Sequence, residues 1–450
     1  MKWIKVLSFL IVFPISVLLA LILMSDAKFS DFFVSRISLL ENRASNITRD
    51  IVVDTICISD HGGIKILTEN LIKLMAIKRP NWRFIVILGH KHCQFSKLLH
   101  LNNVIFVSLS SPQNNGISLF LRNLINILTL GLCRDKVIQL CCYNTLCFDD
   151  KCDLFFDPYA EMQPNDFSLP KISIIHDLAY VDIPDCNTPE FCSWLAKIGY
   201  LIIKSSSKII TISNFSKQRI MQRYNLSTDE VKMIYNCLVN RITFHPTANF
   251  INSCLGKYDL EKGNYLIYVS SFWRHKNHPR LIEAFSTFLS HSGSKVKLAI
   301  VGTFDIERHP DFYKSLLAER GLHGKVICTH HVDEKELDVL LRNALAMVFP
   351  SRYEGFGMPV VEAMSMGIPV ACSNVASLPE ICGDAALFFD PYDTNDMAAA
   401  IEKIVSDAEL RKTLIQRGYD RAKQFADPNV MVDDYIRAFE EVMEARDTVR

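Results

Sequence analysis

The chain has 450 residues, with Lys+Arg 49 against Asp+Glu 49, so its formal net charge is zero; 49% of it is hydrophobic and 22% charged. That length accommodates two or three domains. The balance of charge excludes the basic footprint of a nucleic-acid binder, and the composition is globular rather than disordered.

The N-terminus departs from that average. Lys2 and Lys5 precede residues 6–25, which carry no charge, and Asp26 closes the run. A helix of that length spans roughly 30 Å, the hydrocarbon thickness of a bilayer. The lysines place the N-terminus in the cytoplasm. A cleaved signal peptide, cut near Ser25-Asp26-Ala27, is the alternative, but the run is longer than an ordinary signal core. Residues 1–26 are therefore expected to form a membrane anchor. Pro14 kinks it or lets it enter as a shallow hairpin.

Beyond a polar stretch, apolar runs at 51–58, 84–88, 104–109, 172–175, 208–212 and 231–235 read as buried strands. Helical stretches such as 64–76 and 193–205 lie between them. This alternation indicates a parallel sheet covered on both faces. The pattern lapses over 236–263, where His245-Pro-Thr and several Asn residues read as a linker. It resumes with strands at 265–270, 296–301, 326–329, 346–349 and 369–371 and helices at 279–290, 311–320 and 334–342. Residues 396–445 read as three helices. The fold class is α/β, two doubly wound Rossmann-like domains facing across a cleft. The boundaries are 1–26 for the anchor, 50–240 and 262–425 for the two domains, and 426–450 for a C-terminal helix.

Fourteen cysteines are present, none in a Cys-x-x-Cys pair, and Cys133, Cys141, Cys142, Cys147 and Cys152 lack zinc-type spacing. They read as free, mostly buried thiols of a reducing compartment. Sequons at Asn46, Asn214 and Asn225 matter only in a secretory lumen.

The segment richest in chemistry is 351–370, Ser-Arg-Tyr-Glu-Gly-Phe-Gly-Met-Pro-Val-Val-Glu-Ala-Met-Ser-Met-Gly-Ile-Pro-Val, followed by Ser377-Leu-Pro-Glu and Phe388-Phe-Asp-Pro. Glu354 and Glu362 flank Gly355, Phe356, Gly357 and Met358, between a strand and a helix at about 359–366. A glycine turn opening a helix offers backbone N–H groups and the positive end of a dipole to an anion. Pro359 suits the first helical turn.

This string resembles the donor-binding signature of retaining glycosyltransferases of family 4, the GT-B class. The resemblance covers residues 170–425 well and 50–170 loosely. It implies that Glu354 faces the donor sugar and that Glu362 binds the ribose hydroxyls. It makes the protein a hexosyltransferase that moves a hexose, with mannose the guess, from a nucleotide-diphosphate sugar to an acceptor hydroxyl with retention. The acceptor is a glycan or lipid-linked glycan, in surface polysaccharide or glycolipid synthesis. The catalytic domain is expected on the cytoplasmic side; a spanning anchor with its N-terminus in the cytoplasm would put it across the membrane, so either the segment is monotopic or re-entrant or the enzyme works in a compartment supplied with donor. A non-catalytic nucleotide- or glycan-binding scaffold, or a sugar-nucleotide epimerase of the same fold, is the alternative.

Further site residues follow the resemblance. Asp60-His61-Gly62-Gly63 stands after the first strand, where Gly62 and Gly63 lie beside the donor phosphates; a plain turn is the competing reading. His176, in Ile175-His-Asp-Leu, contacts the donor sugar, the alternative being a capped core histidine. Lys276, with Arg274, in Tyr268-Val-Ser-Ser-Phe-Trp-Arg-His-Lys-Asn stabilises the charge growing on the departing diphosphate. The family's arginine often stands where this chain has Ser271, and Arg274 or His275 is its substitute. Gly302 and Val332 sit where the family contacts the nucleotide. Ser213 or Asn214 reads as a helix N-cap, with Ser213 a lesser acceptor-side candidate. No metal and no cofactor are expected: His330-His331 lacks further ligands at useful spacing, and Asp390-Pro-Tyr-Asp393 lacks Asp-x-Asp spacing. Lys276, Arg274 and amides near Gly357 replace a cation.

Overall fold

The computed structural model describes residues 46–55, 63–88, 95, 98–108, 152–159, 169–238, 244–271, 273–302 and 310–448. The apolar run 6–25, the segment Asp60-His61-Gly62, and Cys133, Cys141, Cys142 and Cys147 lie outside these residues. Among the described residues no helix is long and apolar enough to cross a membrane. The chain divides into two units. One gathers Met1–Ile175, Ile198–Ile210 and Tyr435–Arg450; the other gathers His176–Lys197 and Thr211–Asp434.

The first sheet holds β1 (Arg49–Asp54), β2 (Trp82–Leu88), β3 (Val104–Ser108), β4 (Leu154–Asp157), β5 (Lys171–Ile174), β6 (Lys208–Thr211) and β7 (Val231–Met233). Their order is β3-β2-β1-β4-β5-β6-β7, and every pair from β3 through β6 is parallel. Ile51, Val52 and Val53 in β1 and Phe84 to Ile87 in β2 are fully buried, as expected of strands covered on both faces. The end of the helix Pro428–Asp447 belongs to this unit. Phe439 on it stacks against Trp82 at 6.4 Å, and Glu440 accepts from Arg79 at 2.9 Å. Gly63 opens the helix Gly63–Lys78 between β1 and β2.

The second unit contains β8 (Tyr265–Val269), β9 (Lys297–Val301), β10 (Val326–His330), β11 (Ala346–Phe349), β12 (Val370–Ser373) and β13 (Ala386–Phe389), all parallel in the order β10-β9-β8-β11-β12-β13. The chain therefore reverses its direction of growth between β8 and β11. That is the topological switch point, where the carboxyl ends of open α/β sheets bind ligands. Its core runs from Tyr265 and Tyr268 through Phe285, Phe349 and Phe389.

Two strands escaped the sequence reading, β4 and β13. Each has four residues. The stretch read as a linker contains a helix, Ala248–Lys257. Its Asn residues hid it, but Thr247 caps it by accepting from the Phe250 N–H at 3.3 Å, and Cys254 and Leu255 are buried. Local cap chemistry elsewhere was legible. Ser213 accepts from the Ser216 N–H at 3.1 Å and opens the helix Asn214–Tyr224, which ends on the left-handed Asn225.

Candidate active site at the switch point of the second sheet

Two loops meet at the carboxyl ends of β8 and β11. The first leaves β8 at Ser270 and closes into a turn over Arg274–Lys276. Gly302, at the end of β9, permits this path. Its φ is +151°, and a Cβ there would sit 2.0 Å from the Ser270 carbonyl oxygen, so no larger residue fits without backbone movement. Asn277, in the left-handed region, donates from Nδ2 to the Pro350 and Pro391 carbonyls at 3.1 and 2.7 Å. The Arg352 N–H donates to the His275 carbonyl at 2.8 Å. These bonds hold the β8 loop against the β11 loop.

The result is an ion pair. Lys276 Nζ lies 2.6 Å from Glu354 Oε1, with side chains 17% and 11% exposed. The Lys276 carbonyl accepts from Tyr268 Oη at 2.7 Å, and the Glu354 carbonyl accepts from Ser377 Oγ at 2.9 Å. Both main chains are thus fixed while both charged ends keep access to solvent. Immediately after Glu354, Gly355 lies against the main chain of His176: a Cβ on Gly355 would stand 2.5 Å from the His176 carbonyl oxygen. Gly357, at φ +89°, then turns the chain into the helix Met358–Ser365, with Pro359 in its first turn. Met358 and Glu362, four apart, share a face of this helix and are half-buried. Phe356 is buried between Tyr235 and Phe425.

Burial dominates the titration of this region. It raises the Asp177 carboxyl above its ordinary value, an effect that Glu354 reinforces and that the Ala179 N–H and Lys276 oppose. It pushes the His275 imidazole down to about 4, helped by the Lys276 cation, and His278 down to about 3. Both rings are neutral at pH 7.

The fold brings Lys276, Glu354, Gly355 and the His176-Asp177 main chain together. Arg274 begins the same turn but is exposed, and no ion pair joins it to another described residue. Val332 is buried in the core, and Gly302 acts on the β8 loop through its backbone. Ser213 is fully buried, its hydroxyl committed to the cap. Among the described residues no three His, Cys, Asp or Glu side chains form a metal-binding group. Cys152, Cys186, Cys192, Cys237, Cys254, Cys372 and Cys382 are buried free thiols.

Sequence reasoning missed Glu380 as a helix cap. Its carboxylate accepts from the Asn214 and Phe215 N–H groups at 2.7 and 2.8 Å and from Tyr235 Oη at 2.8 Å. The partners lie too far apart in the chain for any local signal.

Comparison with known proteins bears on this unit. Residues 256–421 match the family model of glycosyl transferases group 1. This region belongs to that family. The group 1 domain thus contains the Lys276–Glu354 pair, the glycine turn and the whole second sheet. The chain is 31% identical over 257 residues to the O-antigen chain mannosyltransferase B of Escherichia coli, covering 57% of this chain and 66% of that one. It is 29% identical over 231 residues to the O-antigen chain mannosyltransferase RfbU of Salmonella typhimurium, covering 51% of this chain and 59% of that one. The chain therefore spans less than two thirds of either relative. In architecture it matches the crystal structure of Anabaena HepE in complex with UDP and glucose, at a TM-score of 0.64 and 16% identity, over 88% of this chain and 100% of that one. Such likenesses establish a GT-B-like α/β fold with two parallel sheets.

Proposed function

We propose that the protein is a retaining hexosyltransferase that moves mannose from a nucleotide-diphosphate sugar to a hydroxyl of a glycan or lipid-linked glycan during surface polysaccharide synthesis. The observation that carries this reading is the Lys276–Glu354 pair at the switch point of the group 1 domain. The two O-antigen mannosyltransferase relatives support mannose as the sugar. Residues 50–240 take the role of acceptor domain and 262–425 that of donor domain.

In this reading the glycosidic bond to the diphosphate breaks and negative charge grows on the leaving group. Lys276 turns from Glu354 to that charge, with Arg274 reinforcing it from the exposed start of the same turn. N–H groups at the start of the helix Met358–Ser365, at Gly357 and Met358, donate to phosphate oxygens. Glu354, freed from its cation, faces the sugar, and Glu362 holds the ribose hydroxyls. His176 contacts the sugar from the end of β5. Gly302 and Val332 line the nucleotide side through their backbone. Fixed cations replace a divalent metal, so catalysis needs none. In this reading the run 6–25 is a membrane anchor, monotopic or re-entrant, and the catalytic part faces the cytoplasm beside a lipid-linked acceptor.

The test is release of nucleoside diphosphate by the full chain in detergent. A panel of nucleotide sugars is offered with excess EDTA, with and without a lipid extract. Release from one donor despite EDTA is expected. Nucleotide binding without release from any donor would convert the protein into a non-catalytic binder. Release that depends on added metal would overturn the role of Lys276 and Arg274.

A further inference from the structure

The segment from His176 to Asp185 and the loop that carries Glu354 lie far apart in sequence, yet two side-chain ties join them. Tyr353 Oη donates to Asp182 Oδ2 at 2.7 Å, and Arg352 Nη1 lies 2.6 Å from Asp185 Oδ2. Both donors immediately precede Glu354, and both acceptors follow His176 within one short helix and a turn, Ala179–Asp182 and Pro184–Cys186. The ties differ in strength. Asp185 is 65% exposed, so its pair with Arg352 is screened by water and contributes little. Tyr353 is 4% exposed, and its ring packs edge-on against Phe215 at 5.5 Å. Asp182 also receives the Arg219 fork, Nε to Oδ2 at 2.9 Å and Nη2 to Oδ1 at 2.5 Å. Burial alone would raise that carboxyl, but the bonds from Arg219 and Tyr353 outweigh it and keep the group ionised. A charged acceptor taking three donors is a stiff anchor.

Between the ties lies the close approach of Gly355 to the His176 carbonyl. Ser216 Oγ donates to that same carbonyl at 3.2 Å from the helix that carries Arg219. The His176 main chain is therefore gripped from both sides, and the grip has its fixed point at Asp182.

We propose that Tyr353 is a positioning residue of this site: through Asp182 and Arg219 it sets the placement of His176 relative to Glu354. The inference rests on the transferase reading above. Tyr353 itself touches no substrate. Its hydroxyl is spent on Asp182, and its effect on turnover passes through His176. Reacting groups misplaced by about 1 Å lose on the order of a hundredfold in rate, so loosening this tie is felt in kcat rather than in donor affinity.

The test is a double-mutant cycle on the full chain, combining Tyr353→Phe with His176→Ala. Tyr353→Phe alone is expected to lower kcat about tenfold with donor KM within about twofold. On the His176→Ala background the same change is expected to cost less than about twofold, because the group it positions is gone. Losses that multiply in full would overturn the inference, as would a Tyr353→Phe protein with unchanged kcat. Hydrogen exchange of residues 176–186 is read on the same proteins, with Asp182→Asn as the second variant. Exchange there is expected to quicken about tenfold in both single variants, and unchanged exchange in both overturns the proposal. That readout needs no turnover. A wild type inactive on every donor would fail the transferase reading, while the exchange result would still decide the role of Tyr353.

Discussion

The two sheets share one order over six strands and treat their charged pairs differently. At the switch point of the second sheet, between β8 and β11, Lys276 and Glu354 meet with both charges in reach of solvent. In the first sheet two charged pairs are sealed inside. Lys171 lies 3.7 Å from Asp157, at 4% and 2% exposure, and Arg83 lies 2.7 Å from Asp50 at similar burial. A sealed pair has exchanged its hydration for one partner and is committed to the fold. A half-open pair keeps the option of trading its partner for a ligand. The same topology thus holds a sealed pair in one unit and a partly exposed pair in the other, and accessibility separates them.

Substitutions break this comparison in a graded way. The largest effect is expected from Lys171→Met, which removes the buried cation paired with Asp157 and close to Asp54. Stability measured by urea unfolding should fall by about 3–5 kcal/mol, with turnover per folded molecule retained. At the open pair the order reverses. Glu354→Gln should lower kcat by about 10²- to 10³-fold while the urea midpoint and nucleotide affinity, read by calorimetry, change little. If both variants lose stability and neither loses turnover selectively, the contrast between sealed and open pairs is wrong.

A third measurement sharpens the second unit alone. His275 and His278 titrate near 4 and 3 when folded because burial holds them neutral, against about 6.5 when unfolded. Between those values the unfolded chain binds more protons. Their stabilisation is present above pH 6.5 and is lost as pH falls toward 4 and below. Unfolding midpoints should decline over that window, and His278→Phe should flatten the decline. A slope unchanged by that substitution would assign the pH dependence to other groups. The smallest effect is expected from Ser213→Ala, which removes one cap bond from the helix Asn214–Tyr224. About 1 kcal/mol should be lost in urea unfolding, with Glu380 still accepting from Asn214 and Phe215.

Much of this was legible in the chain itself. Long apolar runs marked β1, β2, β8, β9 and β11, because strands buried on both faces need continuous hydrophobic sequence. Gly357 and Pro359 marked the turn into the helix Met358–Ser365. The strands β4 and β13 and the Asn-rich helix Ala248–Lys257 were not legible. Short elements have too few residues for a period and are stabilised by what packs on them.

What the sequence determined by itself was therefore local and periodic: the alternation of strands and helices, the caps, the glycine turn and the residue types of the candidate site. What only the tertiary structure decided was pairing at a distance. Lys276 reaches Glu354 across a separation of 78 residues, and Tyr353 reaches Asp182 across 171. Glu380 caps a helix 165 and 166 residues away. No local pattern encodes such contacts. The first follows from the strand order, which brings β8 beside β11 and leaves their loops facing one another; the others follow from packing in which each buried donor and acceptor finds a partner.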